Sequence, residues 1–434
     1  MAKIIPFHGY KYNLDAVDNM QELVTPPFDL ISSTEQEKLY EASPYNMVRL
    51  NLGKQFQQDT ETDNRYTRSA KVLQEWIQDK VLIPSPSPSL YVYTIQLAGN
   101  PIPLIGFIGL VELQEFSSRQ ILPHENTLRA PVEDRVKLVT KCQSYFDPIF
   151  VLYQENKGIA RNIIKEWIAN REPEISIWDE FAALHKLWTL DDQKIINQML
   201  SSLAPNPVMI ADGHHRYTAA LQYRAEQKKN NPNHTGSEPY NYTLLFLADL
   251  EDPGLLILPT HRTLKNLSEE IIQQVPGLFS EDFAINETSF PQDNRKEQLE
   301  KVISHMREIG KQNQIIFGLY ARGEKFYWLT LKEKPAETGL DVSIFNQKIL
   351  EKALGISQED IFSGDYLRYT KDSQTAIQSV DSGKMQLAFL LNPVKIEQVK
   401  QIVLRGERMP QKSTYFIPKP MTGLVIYSFA ESLW

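Results

Sequence analysis

The sequence predicts an α+β protein of mixed sheets covered by helices, and three observations predict it. Apolar runs of strand length recur along the whole chain, at 90–97, 104–113, 149–153, 208–211, 242–248, 315–320 and 385–391. Between them lie segments with apolar residues at helical spacing, as in Tyr66, Ala70, Leu73 and Ile77. No glycine fingerprint follows an early strand, so the alternation does not read as a doubly wound dinucleotide fold.

At 434 residues the chain exceeds a single core, and we expect an N-terminal α/β module at 1–88, a core at 89–280 and a C-terminal α/β domain at 281–434. In the first, Val24-Thr25-Pro26-Pro27-Phe28-Asp29 is a stiff extended loop, and Ser32 with Glu35 forms a capping box. A helix at 66–76 follows. Pro84-Ser85-Pro86-Ser87-Pro88 suits neither helix nor central strand and reads as a connector.

In the second, strands at 90–97 and 104–113 are joined at Gly99-Asn100-Pro101 like a hairpin and lead to Pro123-His124-Glu125. Pro131 opens a helix with Glu133 and Asp134 in its first turn, where the dipole favours acids. A strand at 149–153, a helix at 159–170, a polar loop at 230–240 and strands at 242–248 and 255–258 follow, ending in Thr260-His261-Arg262. The third section carries a helix at 295–309, strands at 315–320 and 325–331 about an Arg322-Gly323 turn, a strand at 385–391 and a helix at 394–404.

The balance of 46 basic against 54 acidic residues argues against a broad nucleic-acid or anionic-membrane footprint, while leaving room for one basic pocket. No apolar run reaches bilayer length and the start Met1-Ala2-Lys3 lacks a signal peptide's organisation, so a soluble cytoplasmic protein is expected. The single Cys142 rules out an internal disulfide and reads as a buried structural thiol.

The chemistry concentrates at Val208-Met209-Ile210-Ala211-Asp212-Gly213-His214-His215-Arg216-Tyr217, where a strand breaks at Asp212-Gly213 and resumes as helix. His214, His215 and Arg216 fall in the first turn, where free N–H groups and the positive dipole end favour an anion. Three cationic side chains there oppose helix-dipole logic and match anion-binding logic, so the segment reads as a phosphate site; the plainer alternative is a turn capped by imidazoles, with Arg216 on a surface carboxylate.

Glu125 could take a proton from a bound hydroxyl, with His124 beside it, although a lone loop glutamate is usually a solvated residue. His124, Glu125, Asp212, His214 and His215 could also form a two-histidine, one-carboxylate metal site, and Asp212 could hold Mg²⁺ on nucleotide phosphates. Thr260, His261 and Arg262 either line the same cleft or cap a strand end. Lys412, Ser413 and Thr414 alone read as an exposed loop.

Taken together, Pro123-His124-Glu125, Asp212-Gly213-His214-His215-Arg216 and Lys412-Ser413-Thr414 stand in the order found in the archaeal free L-serine kinases, which the chain resembles. Over its full length it also resembles a widespread prokaryotic family of unknown function, through Val24 to Asp29, Pro259-Thr260-His261-Arg262 and Met409-Pro410-Gln411-Lys412-Ser413-Thr414-Tyr415-Phe416. The resemblance implies a ParB/sulfiredoxin-like nucleotide-binding core and a small-molecule kinase using ATP or ADP with Mg²⁺. It makes Glu125 the base, assigns Asp212, Gly213, His214, His215 and Arg216 to the nucleotide's phosphates, and turns Lys412, Ser413 and Thr414 towards the acceptor. Tyr415 and Phe416 replace an Arg and a His of the kinase, which removes a guanidinium suited to an amino acid's carboxylate. The alternative from another class is a ParB-like nucleotide-binding regulator associated with DNA. The acidic balance and the lack of a basic helix-turn-helix oppose it.

Overall fold

The computed structural model describes residues 3–155, 158–203, 207–333, 339–410 and 412–429; Met1, Ala2 and Gln411, named above, lie outside them. It is a mixed α+β structure of two compact units, Met1–Leu256 with Pro418–Trp434, and Ile257–Ile417.

The first unit is built on a nine-stranded sheet. Its strands are β1 (Ile4–Ile5), β2 (Leu90–Gln96), β3 (Leu104–Glu112), β4 (Ile121–Leu122), β5 (Ile149–Tyr153), β6 (Ile175–Trp178), β7 (Leu184–Leu190), β8 (Val208–Asp212) and β9 (Tyr242–Asp249). They lie in the order β4-β8-β5-β9-β3-β2-β7-β6, with β1 on β3. The β2–β3 pair is the antiparallel hairpin expected, whereas β5 and β9 run parallel. Every residue of β5 and β9 is buried, as required of strands covered on both faces. Two helices position the site, α1 (Arg129–Cys142) and α2 (His214–Asn230), and they pack on each other. The Ser32–Glu35 capping box forms as its sequence implies.

The second unit holds a six-stranded sheet of β10 (His261–Leu264), β11 (Phe283–Ser289), β12 (Ile316–Tyr320), β13 (Lys325–Leu331), β14 (Leu367–Thr370) and β15 (Leu387–Leu390), in the order β11-β13-β12-β15-β10-β14. Its core gathers Phe290, Leu299, Met306, Ile316, Phe326 and Ile377.

These two units differ from the three sections expected. The 1–88 segment does not stand apart, because Ile4 and Ile5 pair with Val111 and Leu110 and Phe7 bridges Ser89. The expected boundary at 280 moves to Leu256, since β10 hydrogen-bonds to β14 and β15, more than a hundred residues later in the chain. After Ile417 the chain rejoins the first unit, where Thr422 pairs with Thr25 and Ile426 with Tyr10. Such long-range pairing leaves no compositional mark at the boundary. Among the described residues no helix is long and apolar enough to cross a membrane.

Candidate functional site

The site is aimed by an irregular strand end. Register along β8 shifts between Ile210 and Asp212 opposite Val151 and Phe150, so the strand bulges just before its last residue. Gly213 then turns the chain with φ +94°, where an L side chain is strained, and serves as N-cap of α2. A Cβ at this position would come within 2.9 Å of the Arg216 guanidinium, which lies folded beneath the turn. No N-cap side chain bonds to the first helical amides.

The two histidines do not act as cations. His214 Nε2 accepts the backbone N–H of His124 at 3.2 Å, and His215 Nε2 accepts that of Leu128 at 3.0 Å. A nitrogen that accepts an N–H carries no proton, so both rings are neutral in this arrangement. Together they stitch the Pro-His-Glu loop to the start of α2. His124 Nδ1 donates to the Ile210 carbonyl at 2.6 Å, and its ring meets that of His214 edge-on with centroids 4.5 Å apart. Burial pushes the His124 pKa down to about 4. Its Nε2 lies 3.8 Å from Glu125 Oε1, and the Glu125 side chain keeps 20% of its surface exposed.

The charged groups form a buried chain. Lys419 Nζ meets Asp212 Oδ1 at 2.5 Å, Asp212 Oδ2 meets Arg216 Nη2 at 2.7 Å, and Arg216 Nη1 lies 3.2 Å from Asp147 Oδ2. Arg216 Nη1 also donates to the Pro148 carbonyl at 2.8 Å. Burial alone would raise the Asp212 pKa, but Lys419 and Arg216 hold it down to about 2. Burial likewise opposes the Arg216 charge, yet Asp147, Asp212 and Asp29 outweigh it and the guanidinium's pKa rises. The conflict seen in the sequence is thereby resolved: two of the three expected cations are neutral and the third is neutralised from within.

Of the residues expected to share one site, His124, Glu125, Asp212, Gly213, His214, His215 and Arg216 are brought together in the first unit. Thr260, His261 and Arg262, with Lys412, Ser413 and Thr414, belong to the second. There His261 Nδ1 accepts the Leu391 N–H at 3.2 Å and burial pushes its pKa down to about 4. Ser413 Oγ donates to the Pro410 carbonyl, Thr414 is buried, and Lys412 is exposed in a left-handed turn with φ +55°.

A family model described as a protein of unknown function, DUF1015, matches residues 4–347. The chain belongs to this family. No curated protein matches it. Solved structures similar to it include a free serine kinase variant in complex with AMP, at 14% identity and TM-score 0.38, covering 71% of this chain and 86% of that one. A conserved hypothetical protein from Pyrococcus furiosus is similar at 16% identity and TM-score 0.37, covering 74% and 94%. C-terminally truncated SbnI from Staphylococcus aureus is similar at 14% identity and TM-score 0.34, covering 71% and 82%.

The metal readings do not fit this family member's site. Both Asp212 oxygens are engaged by cations, which corrects its expected role as an Mg²⁺ ligand. His214 and His215 spend their Nε2 lone pairs on backbone N–H groups, which leaves at most the Nε2 of His124 to ligate and removes the two-histidine, one-carboxylate alternative. Among the described residues no group of three or more His, Cys, Asp or Glu side chains could hold a metal ion. The expected role of Arg216 changes from phosphate contact to internal counter-ion, because its charge is spent on two carboxylates. Sequence reasoning missed Lys419, Asp147 and Asp29. Lys419 stands in Pro418-Lys419-Pro420 and Asp147 precedes Pro148, so a charged residue pinned beside proline was the available signal.

Proposed function

We infer that the protein is a nucleotide-dependent phosphotransferase acting on the hydroxyl of a small metabolite, free L-serine or a related hydroxylated compound, with ATP or ADP as donor. The observation that carries this reading is the stitching of the Pro-His-Glu loop to the first turn of α2 by His214 and His215. It puts the Glu125 carboxylate and the helix start in one small volume. Phosphoryl transfer asks chiefly for positioning and charge neutralisation. Backbone N–H groups at a helix start supply both for a phosphate, and Gly213 lets the backbone approach it closely. Lys419 brings an ammonium to Asp212 beside them. In this reading Glu125 accepts the acceptor's hydroxyl proton, and Asp212 and Arg216 hold Lys419 and the turn in place. His124 positions the loop, since its low pKa and bond to Ile210 make it a poor base. A ParB/sulfiredoxin-like classification of the first unit belongs to the same proposal.

The test is to incubate the protein with Mg²⁺, labelled ATP or ADP and a panel of hydroxylated metabolites, reading products by mass spectrometry with DNA as a binding control. Glu125→Gln is expected to lower turnover by about two to four orders of magnitude while nucleotide binding persists. Normal turnover in that variant would remove Glu125 as the base. DNA binding without any phosphorylated product would move the protein to the ParB-like regulatory class.

A further inference from the structure

Among the described residues Arg262 is the largest fully buried side chain, with 1% of its surface exposed. It lies on β10 between Tyr369 of β14 and Phe389 of β15. Among the described residues its guanidinium donates one hydrogen bond, from Nη1 to the Thr260 carbonyl, and no carboxylate comes within ion-pair distance of it, the buried Asp341 acting on it only from farther off. Nε is buried without any acceptor. The rings of Phe345 and Tyr369 face the guanidinium carbon at 5.5 and 5.6 Å from their centroids. Such faces ease the burial of a cation but satisfy none of its N–H donors.

A buried guanidinium with an unmet donor and no carboxylate in contact is a costly arrangement that packing does not require, because an apolar side chain of the same volume would fill the space without the penalty. The unmet Nε–H belongs to the edge of the fork that grips an oxyanion in two-pronged fashion. His261 next to it is neutral, since its Nδ1 accepts an N–H, so Arg262 is the full positive charge at this point of the strand. We propose that Arg262 is the receptor of an oxyanion site in the second unit, taking the carboxylate or phosphate group of a small ligand. The guanidinium's pKa, lowered to about 10 by burial, is what such a receptor shows before its anion arrives. The proposal concerns the second unit alone and stands whether or not Glu125 is a catalytic base.

The test is thermal unfolding of the full chain in inorganic phosphate, in malonate, and in chloride at equal ionic strength. Wild type is expected to shift upward in phosphate or malonate relative to chloride. Arg262→Met is expected to be at least as stable as wild type in chloride and to lose that shift, while Arg295→Met, which removes an arginine of the same unit that is already ion-paired with Asp381, keeps it. The larger response, to phosphate or to malonate, tells a phosphate-bearing ligand from a carboxylate-bearing one. A shift unchanged in Arg262→Met, or no shift in wild type, overturns the proposal. Should Arg262→Met fail to fold, Arg262→Lys decides: it keeps the charge without the fork, so a response equal to wild type overturns the proposal and a weakened one supports it.

Discussion

Two buried arginines meet the cost of burial in opposite ways. Arg216 and Arg262 are 6% and 1% exposed; the first sits in a segment whose sequence suggests anion binding, the second in one that reads as lining a cleft or capping a strand end. Arg216 is gripped by Asp212 and Asp147, and its pKa rises. Arg262 has two aromatic rings and a carbonyl, and its pKa falls to about 10. The lesson is that an arginine in a promising motif is a receptor only if its charge is unspent. The first is part of the scaffold that shapes a site, and the second keeps its charge for a ligand.

The strongest way to break this comparison is to remove each charge in turn. Arg216→Met strands Asp147 in the interior, leaves Asp212 to Lys419 alone and is expected to cost about 3–5 kcal/mol of stability, whereas Arg262→Met breaks no contacting ion pair and should cost little or even stabilise. Urea unfolding of the two variants measures the gap. Equal losses would mean that Arg262 also has a structural counter-ion.

Acid sharpens the comparison. His124 and His261 each have a pKa depressed from 6.5 to about 4, so above pH 6.5 neither affects stability. Between pH 6.5 and 4 the unfolded chain takes up protons that the folded one refuses, and stability falls by up to roughly 3 kcal/mol for each histidine. Asp212 has a depressed carboxyl pKa, so its contribution holds above about pH 4 and is lost as the pH falls towards 2, uncoupling Arg216. Arg262 has no carboxylate in contact to lose. Stability measured against pH should therefore decline from 6.5 to 4, and His124→Gln and His261→Gln should each flatten part of that decline. A flat profile over this window in the wild type would contradict the burial of both rings.

Gly213→Ala is expected to destabilise less than Arg216→Met. A positive φ for a non-glycine residue costs about 1–3 kcal/mol, and the added Cβ would press on the Arg216 guanidinium 2.9 Å away. Combining Gly213→Ala with Arg216→Met should recover part of the loss in a double-mutant cycle, and strict additivity would show that the contact is immaterial.

The local elements of the site were legible along the chain. The strand ending at Asp212, the turn at Gly213 and the helix carrying His214 to Arg216 formed as their periodicity and glycine implied, because those signals act within a few residues. Family membership and the pairing of the Pro-His-Glu loop with this turn were likewise legible in the motifs. Only the tertiary structure decided which charges are available. Asp147 and Lys419 come from 69 positions before Arg216 and 203 after it, and nothing in the helix's own sequence announces either. The state of each imidazole was decided the same way, by backbone amides from the 123–128 loop that claim the nitrogens. The unit boundaries, too, came from pairing between distant strands. A residue's type limits the charge it can carry, while burial and the neighbours folding brings to it decide whether that charge is free.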